Sequence, residues 1–149
     1  MAKITLPEDA SILGVGELYK SQIVGIYGRD KNALARRLQE VASAREVFYL
    51  SLFPPTTLPV DLEEDKMRVA ATFKDIVEVV YNIYSGRLKL KVFVVSGLRD
   101  LERILGNDVV DYINAVGSVA RYVDYVLDFE LETDGARLTE SFLDLKVRA

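Results

Sequence analysis

Ile23-Val24-Gly25-Ile26-Tyr27-Gly28-Arg29-Asp30-Lys31-Asn32-Ala33-Leu34-Ala35-Arg36-Arg37-Leu38 decides the fold. The apolar run over residues 23–27 reads as a buried strand. Leu34, Leu38, Val41 and Ala42 share one face of the helix that follows, with Arg36, Arg37, Gln39 and Glu40 on the other. A strand, a very short turn and an amphipathic helix form the framework that carries a phosphate-binding loop. The loop itself is missing. G-x-x-x-x-G-K-S/T wraps several residues of glycine-rich backbone around phosphates, and here only Arg29 and Asp30 separate Gly28 from Lys31.

The same apolar character returns in Val47-Phe48-Tyr49-Leu50-Ser51-Leu52-Phe53 and in Val92-Phe93-Val94-Val95. Runs without alternation indicate strands covered on both faces, as in a parallel sheet, so the first two strands and their helix make a βαβ unit with a right-handed crossover. Pro54, Pro55 and Pro59 impose an extended loop that ends in Glu63-Glu64-Asp65, a favourable charge for a helix start. The next helix is predicted from about Lys66 to Tyr84, with Val69, Phe73, Ile76, Val77, Val80 and Tyr84 at helical spacing. Leu98, Leu101 and Leu105 suggest a short helix ending at Gly106, and Asn107 or Asp108 can cap another that carries Val109, Ile113, Val116 and Ala120 inward.

The period then changes to two. Val123, Tyr125, Leu127, Phe129 and Leu131 alternate with Asp124, Val126, Asp128, Glu130 and Glu132, which predicts a strand with one largely solvated face. Asp134-Gly135 is a turn signal, after which Arg137 to Arg148 can return as an antiparallel partner. The expected fold is α/β: a single domain over residues 1–149, a three-layer α/β/α sandwich with a mainly parallel sheet and a C-terminal antiparallel hairpin.

Composition narrows the chemistry. The chain of 149 residues has neither Cys nor His, which removes disulfides, thiolate catalysis, cysteine zinc sites, and the commonest general base and metal ligand. A net charge of −4 disfavours strong unaided DNA binding. No apolar run is long enough for a membrane span, and Met1 to Pro7 lacks the basic start and apolar stretch of a signal peptide, so a cytoplasmic location is expected. The absence of Cys, with few Asn and Gln and many Arg, Lys and Glu, points to a thermophilic source.

With these residues in view, the chain resembles a degenerate, shortened member of the RecA/RadA recombinase family of P-loop ATPases. Leu13-Gly14 through Gly28 resembles the segment leading into the family's first strand, and Lys31 to Leu38 resembles the helix that begins with the phosphate-binding Lys and the hydroxyl residue on magnesium. Under that resemblance Lys31 keeps the charge and Asn32 replaces the hydroxyl. Val92 to Val95 resembles the Walker B strand, but Ser96 stands where the family has an Asp, and the second strand, ending Leu52-Phe53-Pro54, lacks the acidic residue that activates water. The family's Phe-x-x-Ala polymerisation tetrapeptide is not found. The resemblance implies a recombinase-paralogue-like module in DNA recombination or repair that associates with a catalytic recombinase, a second paralogue or DNA.

No catalytic, metal-binding or cofactor-binding set is assigned, beyond a residual anion site at Gly28, Lys31 and Asn32, where a helix N-terminus offers N–H groups. The expected activity is binding, not catalysis. Candidate contact residues are Phe53, Pro54, Pro55 and Leu58 of the proline loop and Asp128 and Glu130 of the acidic strand, facing a protein partner in a homo- or hetero-oligomer. Two alternatives stand beside this: a nucleotide-binding regulator without hydrolysis, and an accessory protein for single-stranded DNA that uses local Arg and Tyr residues. Arg36, Arg37 and Arg45 are interrupted by Glu40 and Glu46, and most of the tyrosines read as packing residues.

Overall fold

A computed structural model describes residues 4–52, 57–88, 90–132 and 137–149. Its elements are α1 (Pro7–Leu13), β1 (Gln22–Gly28), α2 (Lys31–Ala44), β2 (Val47–Leu52), β3 (Met67–Ala70) and α3 (Phe73–Tyr84). There follow β4 (Val92–Ser96), α4 (Leu98–Leu105), α5 (Val109–Ser118), β5 (Tyr125–Leu131), α6 (Arg137–Ser141) and β6 (Leu145–Arg148). The strands form one sheet in the order β3-β2-β4-β5-β1-β6, and every pairing is parallel.

Helices cover both faces, as a parallel sheet requires. On one, Leu34, Leu38 and Val41 of α2 pack with Val24, Ile26, Tyr49, Val94, Leu127 and Phe129. On the other, Ile76, Val80 and Ile83 of α3 and Val109, Ile113 and Val116 of α5 pack with Phe48, Leu50, Phe93, Val95 and Val126. The chain moves toward β3 along the first face and back toward β6 along the second, the arrangement that a single crossover hand demands. The continuous apolar runs are thus explained: β2 and β4 are buried at every position.

Three expectations need correction. Residues 66–84 do not form one helix. Lys66 ends a 3-10 turn, Met67–Ala70 pairs with β2 as an edge strand, and α3 begins only at Phe73. Thr72 and Asp75 form a capping box that fixes this start, and Arg68 reaches from β3 to Asp75 (2.9 Å) and Glu78 (2.8 Å).

Nor do the described residues form the C-terminal antiparallel hairpin. Arg137–Ser141 is a short helix, and Leu145–Arg148 pairs with β1 in parallel. The cause is Glu102 on α4, which accepts bonds from Leu138 N (3.3 Å), Thr139 N (2.7 Å) and Thr139 Oγ1 (2.7 Å) and so holds the start of α6. Gly25 admits the return, because a Cβ there would lie 2.6 Å from Leu143 Cδ1. Asp134 and Gly135 lie outside the described residues.

Thirdly, the acidic strand has no solvated face. β5 lies between β4 and β1, and Val126, Asp128 and Glu130 are buried. Alternation in the sequence marks a polar face here, but helices on that side enclose it.

Candidate functional site

All strands being parallel, their carboxyl ends share one side of the molecule, the place where open α/β sheets bind ligands. The first feature there is the β1–α2 junction. β1 ends at Gly28 and α2 starts at Lys31, so the turn has the two residues that the sequence indicates. Asp30 is extended, and its Oδ1 accepts from Ala33 N at 2.7 Å. This carboxylate caps the helix, so the chain's own negative charge takes up an N–H group that an anion would use. Gly28 is buried, and a Cβ there would stand 3.0 Å from Leu34 Cγ, so its glycine lets α2 pack closely on the strand. Lys31 is partly exposed and Asn32 exposed, in the first turn of the helix. No backbone cradle joins the three.

The second feature lies at the ends of β2 and β4, on the same face as α2. Ser96, at the Walker B position of the resemblance, is buried, and its hydroxyl bonds the Tyr49 hydroxyl. Tyr49 also accepts from Leu58 N at 3.1 Å, while Ser51 Oγ meets Thr57 Oγ1 at 2.8 Å. Burial raises the Tyr49 pKa, so the phenol stays neutral. Neutral hydroxyls therefore occupy this end of the sheet. Among the described residues no group of three or more His, Cys, Asp or Glu could hold a metal. Leu58 is itself buried, which folds this part of the proline loop back on the domain and removes it as an exposed contact; Phe53, Pro54 and Pro55 lie outside the described residues.

A third feature, on the opposite sheet face, has no precursor among the predicted site residues except Asp128 and Glu130. Tyr27, Arg99, Glu132, Glu140, Lys146 and Arg148 line a cleft of about 630 Å³ at the ends of β1, β5 and β6. The Arg99 guanidinium stands 4.6 Å from the Tyr27 ring centroid and the Lys146 ammonium 4.5 Å. Both donate to one oxygen, Glu140 Oε1, at 3.1 and 2.8 Å. Arg148 pairs with Glu132 at 2.8 Å.

Beneath the cleft are Asp128 and Glu130, both fully enclosed. Burial pushes the Asp128 carboxyl up to about 6, and burial followed by the Asp128 charge pushes Glu130 well above its usual range. Glu130 Oε2 accepts Arg99 N at 3.2 Å, but Glu130 Oε1 and both Asp128 oxygens meet no donor group. The raised pKa values are the condition under which one proton between the two carboxyls would supply a bond and let them lie together. They are not a contact surface. The spacing of Asp128 and Glu130 puts both acids on one face of a strand, which was legible; their burial follows from the position of β5 in the sheet, which was not.

An ATPase described as prototypical, from the type III secretion system of pathogenic bacteria, superimposes on 99% of this chain with a TM-score of 0.57 and 12% sequence identity. The fold is that of the RecA-like P-loop ATPases. This chain spans 57% of that ATPase's length. No protein-family model matches the sequence, and no curated protein matches it. At 12% identity the likeness extends to the fold alone. No helix among the described residues is long and apolar enough to cross a membrane.

Proposed function

We propose that this chain is a non-hydrolysing RecA-like module that works by binding a protein partner, and that it serves as a recombinase-paralogue-like accessory in DNA recombination or repair. The observation that carries the reading is the turn from Gly28 to Lys31, whose two residues leave no backbone to surround a triphosphate and whose Asp30 caps the helix that would receive it. Ser96 bonded to Tyr49 supports it, since a buried hydroxyl pair offers magnesium no charge. The recombination context rests on the sequence resemblance to the RecA/RadA family.

A surface suited to binding is present elsewhere than at Leu58, Asp128 and Glu130, which are buried. Phe73, Val77, Tyr81 and Tyr84 form an exposed apolar stripe along α3, next to Tyr122. Large exposed apolar patches mark interaction sites. The test is sedimentation of the chain with a catalytic RecA-fold recombinase, alone and after Val77→Ser with Tyr81→Ser. A complex lost in the double variant supports the reading, and the absence of any complex at tens of micromolar removes the partner it names.

One observation favours single-stranded DNA as a second reading. Arg87 lies 5.8 Å over the Tyr81 ring, and Tyr84 pairs with Tyr122 at 4.5 Å, so aromatic rings and cations share this face. Titration of short labelled single strands at two salt concentrations separates the readings: salt-sensitive binding lost with Tyr81→Ser and Arg87→Ser favours DNA, and no binding at low salt dismisses it.

A further inference from the structure

We propose that the cleft between Tyr27, Arg99, Lys146 and Arg148 binds a phosphoryl or sulfate-type oxyanion, whose place the Glu140 carboxylate now holds. The site lies on the sheet face opposite α2, so it is distinct from the shortened β1–α2 turn and stands whether or not this domain lacks hydrolysis.

Two elements far apart in sequence bring three cations to one place. Arg99 comes from the first turn of α4, and Lys146 and Arg148 project from the same face of β6. Two of them converge on a single oxygen of a carboxylate whose side chain is 41% exposed. Arg99 is different. Its side chain is only 7% exposed, its guanidinium is fixed over the Tyr27 ring, and its Nε meets no acceptor. A guanidinium carries five N–H donors, and one carboxylate oxygen leaves such a group poorly satisfied. A tetrahedral oxyanion presents acceptors in several directions and can engage Arg99, Lys146 and Arg148 together. Arg99 and Lys146 are already positioned by Tyr27, which lowers the ordering cost of binding.

A metal does not fit the same place. Cations line the cleft, and the two buried acids behind it are enclosed. An anion in place of Glu140 preserves the local balance, because it replaces one negative group with another. The recognised chemistry could belong to a free inorganic ion or to the phosphoryl end of a nucleotide, and separate probes distinguish these sources.

The experiment is calorimetric titration of the whole chain at low salt with sulfate, inorganic phosphate and AMP. Saturable binding is expected. Lys146→Gln, at a half-exposed position that should not disturb folding, weakens it about tenfold or more, as loss of a charge-assisted bond implies. Glu140→Gln removes the competing carboxylate and tightens it severalfold, while Lys31→Ala leaves it unchanged. Binding of AMP without binding of the inorganic ions identifies a nucleotide phosphoryl group as the source. The proposal is overturned if none of the three binds the wild-type chain or Glu140→Gln at tens of millimolar. It is equally overturned if binding ignores Lys146→Gln and Arg148→Gln, or if it disappears with Lys31→Ala.

Discussion

Asp128 and Glu130 stand two residues apart on β5, both buried, and their titration bears on how stability depends on pH. In the unfolded chain Asp128 titrates at its ordinary 3.8, and in the fold at about 6. Between these values the folded state holds more protons than the unfolded state, so stability falls as pH rises. The contribution is complete below the unfolded value and is lost through about 6, and the raised Glu130 extends the loss to higher pH. Asp128→Asn cannot ionise. Thermal melts from about pH 5 to about pH 8 should show a flatter profile for this variant and a higher melting temperature than wild type at the alkaline end; an unchanged slope would count against a buried, proton-sharing pair. Tyr49 offers a second test at this scale. Tyr49→Phe deprives Ser96 and Leu58 N of their bonds to the phenol inside the domain and should cost about 1–3 kcal/mol in urea unfolding, with the denaturant slope unchanged. No measurable loss would mean that the hydroxyl contacts are incidental.

Among the elements, the apolar strands covered on both faces are readable, while the burial of the acidic β5 and the marginal β3, α6 and β6 are not. β1, β2 and β4 appear as apolar runs because both faces are covered, and α2 appears because one of its faces is polar. β3 was hidden because Val69 continues the helical spacing of Phe73, Ile76 and Val80 by coincidence, while the true start of α3 is set by the Thr72 cap. α6 and β6 were hidden for another reason: Glu102 captures Leu138 and Thr139 across more than thirty residues, with separations of 36 and 37, and no local pattern announces that. The cleft shares this cause, since Tyr27, Arg99 and Lys146 meet only through topology. The two-residue turn after Gly28, by contrast, needs nothing beyond local spacing and was legible in full. The stripe on α3 belongs to this scale as well. Val77 and Tyr81 are 45% and 57% exposed, so replacing both with Ser should change unfolding stability by less than about 1 kcal/mol. A larger loss would show that the stripe is packed and not available to a partner.

For the whole molecule, the parallel α/β sandwich has a RecA-like layout, and the proposed loss of hydrolysis rests on several residues at the carboxyl ends of its strands. Asp30 caps the helix start, Leu58 and Tyr49 fill the sheet end, and Ser96 brings a hydroxyl in place of a charge. The exposed aromatic stripe of α3 and the cationic cleft, both on the sheet face opposite α2, are the two surfaces proposed for binding. On the proposed reading the Gly28–Lys31 turn cannot support hydrolysis, and steady-state phosphate release from ATP with magnesium by the purified chain is the test. The account predicts release indistinguishable from buffer at every protein concentration. Turnover that scales with protein and vanishes in Lys31→Ala would contradict it.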